Sequence, residues 1–213
     1  SDVFAENFTP RVIRNFHLEY EDLRQIRPDI IMVSSTGYGY TGPWSDFGAV
    51  GPATEGASGL AHMTGYAGGP PAMPEIPYTD YTAAEHAVFA VMAALMHRLR
   101  TGQGQFIDIS QTQTASAAVP EALMDFTVNG RIGPRLGNEH PAMSPHGCYP
   151  CRGEDRWIAI AVADDNQWRA LCRAVGRPEW AEDGRFVDAL ARWRHRNELD
   201  RLVGEATREG DAH

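Results

Sequence analysis

The chain has 213 residues, a formal net charge of −9, and 43% hydrophobic against 22% charged residues. That is the make-up of a globular protein with room for one domain, or one domain and part of a second. The acidic balance speaks against a nucleic-acid surface, which needs clustered Lys and Arg. No apolar run reaches the roughly 20 residues that span a bilayer.

The N-terminal SDVFAENF lacks the basic and apolar regions of a secretion signal, and its DVFAENF reads as a short buried strand. LEYEDLRQIRPD supplies a helix with Leu18, Leu23 and Ile26 at helical spacing, ended by Pro28. The apolar run Ile30 to Val33 then breaks into Ser and Gly. Strand, helix and strand on short links are the signature of a parallel sheet covered on both faces. A sheet that starts at the first residues is expected to have lost neighbours upstream, as in a fragment of a longer chain.

Residues 36–79 are rich in Gly and Pro, with one possible short helix in ATEGASGLAHMTG. A connection this long inside a compact domain is usually functional. A helix is expected over 81–100, opened by a Thr82–Glu85 capping box and closed by His97, Arg98, Arg100 and Gly102. GQFIDIS is another strand, and TASAAVPEALMDFTVNG a helix interrupted at Pro120.

The composition shifts near RIGPRLGNEHPAMSPHG, placing a domain boundary near 135. Residues 1–135 form a large α/β segment, and 136–213 a small α+β domain. The latter opens with a hairpin around Gly153-Glu154-Asp155, followed by helices at 165–175 and about 190–207. The arginines gathered at 192–201 alternate with acids, Trp193 and Leu199, and read as a solvated helix face. Three cysteines cannot all pair within the chain. Cys148 and Cys151 form a C-x-x-C without a second ligand pair, so reduced thiols in a cytoplasmic protein, and no metal, are expected.

Among the candidate reactive groups, Asp80 stands at the mouth of the long helix. There a carboxylate faces unpaired N–H groups and the positive end of the helix dipole, which suits a nucleophile and not a general acid. An aspartate at such a position commonly just caps the helix. Thr79 and Thr82 are also able to cap this end, so Asp80 is not needed for that task. The loop SSTGYGYTGP leaves the carboxyl end of a strand, where open α/β sheets bind ligands, and Gly37, Gly39 and Gly42 allow close backbone approach. It is neither a dinucleotide fingerprint nor a P-loop. His86 lies six residues beyond Asp80 and off its face. His62, His140 and His146 lack metal spacing, and no Ser lies in G-x-S-x-G. Glu75, five residues before Asp80, leaves a paired-carboxylate glycosidase conceivable.

ENFTPRVIRNFHLEYEDLRQIRPDIIMVSSTGYGYTGP, SGLAHMTGYAGGPP, the Asp80 helix ending in ALMHRLRTGQGQFIDISQ, and GNEHPAMSPHGCYPCRGEDRWIAIAV follow one another in order. Together they resemble the class III CoA-transferases, the family of formyl-CoA transferase and carnitine CoA-transferase. The resemblance implies a Rossmann-like parallel-sheet large domain carrying the site, followed by a smaller α+β domain. It also implies an aspartyl nucleophile, which falls on Asp80. Coenzyme A would enter as a co-substrate, with an acyl-CoA and a carboxylic acid as partners and a second copy in an interlocked homodimer. Asn7, Phe8 and Thr9 fall where the family holds CoA. A CoA-binding arginine aligns with Asn15, beside Arg14, and a lysine of some relatives has no equivalent in the segment Ala49 to Pro52, where Ala49 and Gly51 stand as the candidates. The glycine-only loop of formyl-CoA transferase is absent, so that enzyme's acceptor is not implied; the apolar PAMP and GLAHM stretches suggest an acceptor larger than formate or oxalate. Two alternatives stand beside this reading. One is an α-methylacyl-CoA racemase, disfavoured because the segment Ala49-Val50-Gly51-Pro52 lacks its histidine. The other is a non-catalytic CoA-binding or scaffold subunit, since family chains are far longer.

Overall fold

A computed structural model describes residues 1–74 and 76–211. The chain divides into two compact units, Ser1–Arg135 and Leu136–His213. In the first, β1 (Val3–Glu6), β2 (Ile31–Thr36) and β3 (Phe106–Ser110) form a parallel sheet in that order. Helices α1 (Pro10–Asn15) and α2 (Tyr20–Ile26) connect β1 to β2. The long connection to β3 carries α3 (Gly51–Ser58), α4 (Leu60–Met63) and α5 (Tyr78–Thr101). Beyond β3 come α6 (Gln111–Ser116) and α7 (Pro120–Asn129).

Central β2 is apolar without alternation because both its faces are covered; Ile31, Met32 and Val33 are all buried. Val33 and Ile109 pack against Ala83 of α5, joined by Val3, Ala87, Val91 and Ile107. Small residues on that side of α5 let the helix lie close to the sheet. The register also aligns Glu6, Ser34 and Asp108 as cross-strand neighbours in one polar row.

Several local expectations are corrected. Ile26 is 83% exposed and belongs to no core face. The possible helix in 53–65 is two helices parted at Gly59, whose φ of +86° ends the first. Helix α5 begins at Tyr78, so Thr82 and Glu85 lie inside it and form no capping box. Thr82 Oγ1 donates back to Thr79 O at 3.1 Å, and Thr79 Oγ1 is paired with Thr54 Oγ1 at 2.7 Å. The cap comes from elsewhere in the chain: Tyr78 N–H donates to Glu55 Oε1 of α3 at 2.9 Å. At its far end α5 closes at Gly102, φ +74°, where Gly102 N–H donates to Arg98 O. The Arg98 guanidinium is anchored on Asp2 and Asp29 at 3.0 and 3.7 Å.

In the second unit β4 (His146–Pro150) pairs antiparallel with β5 (Trp157–Ala161). Helix α8 (Asp165–Ala174) is capped by Asp164, whose Oδ1 accepts from Asn166 and Gln167 N–H. A 3₁₀ turn over Pro178–Ala181 follows, then α9 (Ala189–Arg194) and α10 (Arg196–Thr207), parted at His195 where one helix was expected. Trp168, Cys172, Phe186, Leu199 and Val203 form the core with Tyr149. Arg192 departs from the reading of a solvated arginine face, whereas Arg194 and Arg201 are exposed as that reading expects. Arg192 is 1% exposed, donates to Ser144 O and Phe186 O, and pairs with Asp165 at 2.8 Å. A guanidinium has enough donors to satisfy carbonyls and a carboxylate together, which makes its burial tolerable.

Candidate active site

Parallel strands carry their loops out at one edge, and the candidate site gathers there. Thr36 of β2 and Ser110 of β3 are register partners, so the loop after β2 and the start of α6 leave the sheet side by side. They are tied together: Gly37 O accepts from Thr112 N–H at 3.0 Å and from Thr112 Oγ1 at 2.8 Å. Gly39, at φ +90°, donates to Thr36 Oγ1, and Tyr40 N–H donates to both carboxylate oxygens of Asp108. Partial burial raises the Asp108 carboxyl above the usual carboxylate range, while the Tyr40 N–H acts in the opposite direction. A Cβ at Gly37 would lie 2.3 Å from Ala49 Cβ, so only glycine lets the end of this loop fold back.

That return delivers Gly51 to Asp80. Asp80 lies in the first turn of α5 with its side chain exposed and its own N–H bonded to Pro77 O. A Cβ at Gly51 would lie 3.0 Å from Asp80 Oδ2 and 2.8 Å from Pro77 Cβ. The other carboxylate oxygen, Oδ1, accepts from Gln111 Nε2 at 2.8 Å. Gln111 opens α6, whose start is fixed by Ser110 Oγ accepting from Gln113 N–H. Behind the carboxylate, Glu55 is 2% exposed and holds the beginning of α5.

The other expected residues are placed as follows. Asn7, Phe8 and Thr9 form the turn between β1 and α1. Phe8 N–H donates to Glu6 Oε2 at 2.8 Å, and the Phe8 ring is half-exposed. Arg14 donates to Asp46 Oδ1 at 3.2 Å, tying α1 to the loop after β2, and Asn15 ends α1 exposed. Ala49 packs under Gly37. Of these residues the contacts bring only Gly51 against Asp80. Gln111 and Glu55 escaped sequence reasoning. Gln111 was signalled by its place just past a strand whose carboxyl end faces the same edge. Glu55, in a run of small residues, gave no comparable signal. Glu75 lies outside the described residues. His86 Nδ1 bonds Thr82 O, and His62 Nε2 bonds Gly133 O. Among the described residues no group of three or more His, Cys, Asp or Glu is arranged to hold a metal, and no helix is long and apolar enough to cross a membrane. The three cysteines are free thiols.

The family model for CoA-transferase family III matches residues 1–213. The chain belongs to that family. It is 35% identical over 207 residues to succinate–glutarate CoA-transferase of Agrobacterium fabrum, covering 97% of this chain and 51% of that protein. It is 33% identical to acetyl-CoA:oxalate CoA-transferase of Acetobacter aceti, covering 97% and 53%. Among solved structures, a CAIB/BAIF family protein from Brucella suis superposes with a TM-score of 0.89 at 31% identity, covering 99% of this chain and 55% of that one. The family III chain therefore spans about half the length of the curated relatives it matches.

Proposed function

We propose that this family III chain carries the nucleophilic centre of an acyl-CoA:carboxylate CoA-transferase, with Asp80 as the covalent nucleophile. The observation that carries the reading is the setting of the Asp80 carboxylate. It is exposed at the loop edge of a parallel sheet, one oxygen is held by Gln111, and the other faces the side-chain-free backbone of Gly51. A ligand has access to the group, and among the described residues no arginine pairs with it.

Asp80 Oδ2 attacks the thioester carbonyl of an acyl-CoA; the C–S bond breaks and CoA leaves as thiolate, giving a mixed anhydride. The thiolate attacks the aspartyl Cγ, the Cγ–Oδ2 bond breaks, and the original acid departs as carboxylate. The enzyme is now an aspartyl-CoA thioester. An incoming carboxylate displaces the thiolate to form a new anhydride, and the thiolate attacks the new acyl carbon. That step releases a new acyl-CoA and restores Asp80. No electrons are transferred and no metal is required by the balance. The Asn7–Thr9 turn, Arg14, Asn15, Ala49 and Gly51 are the candidates for holding CoA. Of these, Arg14 supplies a cation at the cost of its contact with Asp46. The relatives' names include succinate, glutarate and oxalate, so a short dicarboxylate is the first acceptor to try.

The test is intact-protein mass after incubation with succinyl-CoA, with hydroxylamine trapping. Wild type is expected to gain an adduct that peptide mapping places on Asp80, and Asp80→Ala to gain none. An equal adduct on both proteins, or none on wild type although CoA binds, would reject Asp80 as nucleophile of this chain.

A further inference from the structure

The two oxygens of Asp80 are not equivalent. Oδ1 accepts from Gln111 Nε2 at 2.8 Å, whereas Oδ2 points to the gap left by Gly51, where a Cβ would come within 3.0 Å. We propose that Gln111 is a catalytic residue acting on Oδ1, as the oxyanion donor for attack on the aspartyl carbonyl. The inference rests on the reading of Asp80 as nucleophile. The oxygen already bonded to an amide N–H is the poorer nucleophile, so Oδ2 attacks the incoming thioester. Once Oδ2 is acylated, Oδ1 becomes the carbonyl oxygen of the aspartyl half of the anhydride. When the CoA thiolate adds to Cγ, the carbonyl pair moves onto Oδ1, and the Gln111 N–H is already within hydrogen-bond distance of the developing charge. Collapse of that tetrahedral centre expels Oδ2 with the departing carboxylate and leaves the Cγ–S bond. The same donor serves the reverse addition, when the second carboxylate attacks the thioester at Cγ. Donors that are in place before charge develops need no reorganisation during the reaction.

The geometry separates the steps. Attack by Oδ2 on the acyl-CoA places negative charge on the substrate carbonyl, not on Oδ1, so Gln111 is not required there. Attack at Cγ needs it. Gln111 opens α6 and is partly exposed, so its replacement leaves the Ser110 cap and the sheet intact.

The experiment is rapid-quench intact mass of the full chain with succinyl-CoA as probe, following acyl and CoA adducts separately in wild type, Gln111→Ala, Gln111→Met and Asp80→Ala. Met has a length close to that of Gln without the donor and stands in if the Ala variant fails to fold by circular dichroism. The expected result is acyl-adduct formation within a few-fold of wild type and CoA-adduct formation slowed about 100-fold, the usual effect of removing one oxyanion donor. CoA adduct appearing at the wild-type rate in either variant overturns the role of Gln111 while Asp80 stands as nucleophile. Equal slowing of both adducts also overturns it, because Gln111 would then merely shape the site. Absence of any adduct on wild type, or an undiminished adduct on Asp80→Ala, overturns the nucleophile itself and this inference with it.

Discussion

Glu55→Ala tests how Asp80 is presented. The Glu55 carboxylate is 2% exposed and accepts the Tyr78 N–H that opens α5, two residues before Asp80. Local capping does not replace it, since Pro77 at the cap position makes no side-chain bond and Thr79 is committed to Thr54. A hydrogen bond to a charged acceptor contributes about 1.5–3 kcal/mol, and its loss leaves the Tyr78 N–H unsatisfied. At about 1.4 kcal/mol per decade, the first turn of α5 should open roughly ten to a hundred times more often. Hydrogen exchange followed by peptide mass over 76–84 reads this directly. The variant should exchange faster there by that factor, with little change in β2. Glu55→Gln keeps an acceptor oxygen and should recover most of the protection. Wild-type exchange over this segment in Glu55→Ala would refute the claim that α3 caps α5.

Gly51→Ala should bring its Cβ into Pro77 and Asp80 Oδ2, destabilise the first unit by about 1–3 kcal/mol, and abolish adduct formation; urea unfolding and the mass assay check both. Gly104→Ala would place a Cβ 2.0 Å from Ile30 O, and a backbone neighbour cannot rotate away, so little folded protein is expected by circular dichroism. Arg192→Met removes the partner of Asp165 and the donors to Ser144 O and Phe186 O, and should lower the stability of the second unit by about 3 kcal/mol in urea. Asp200 gives a pH test. Burial raises its carboxyl above the ordinary value, with the Tyr149 hydroxyl bond opposing. The folded state therefore holds more protons than the unfolded one between that ordinary value, about 3.9, and the raised one, so this group's contribution falls as pH rises through the window. Asp200→Asn should gain stability over wild type above the window and match it below; urea midpoints across the range decide.

The sheet was largely legible because its signal is local. An uninterrupted run such as Ile30 to Val33, breaking into Ser and Gly, has few solutions other than a covered parallel strand. The mouth of α5 was misread for the opposite reason. Thr82 and Glu85 have the spacing of a cap, but Glu55, 23 residues before Tyr78, supplies the acceptor and draws the helix start back by one turn. Arg192 was misjudged likewise. Its neighbours in sequence are polar, and what buries it, Trp168, Phe186 and Asp165, lies on other elements. Asp80 itself was visible as a carboxylate at a helix mouth. Its contacts were not: Gly51 was a candidate only for holding CoA and Gln111 was not singled out, because both reach Asp80 through the return of the loop after β2 and the start of α6.

Helix α5 is fastened at both ends to different parts of the chain, by Glu55 at Tyr78 and by Asp2 and Asp29 at Arg98. At about 1.5 Å per residue, the second anchor lies roughly 27 Å along the axis from Asp80. A rod pinned in this way transmits displacement along its length without absorbing it, whereas a loop takes up slack. Loosening Arg98 should therefore be felt at the other end of the rod, where placement to within about an ångström decides whether Gln111 and Gly51 keep their contacts with Asp80. Proximity alone therefore does not name every contact that fixes this helix: Asp2 and Asp29, at the opposite end of the strands, fasten the same rod that carries Asp80.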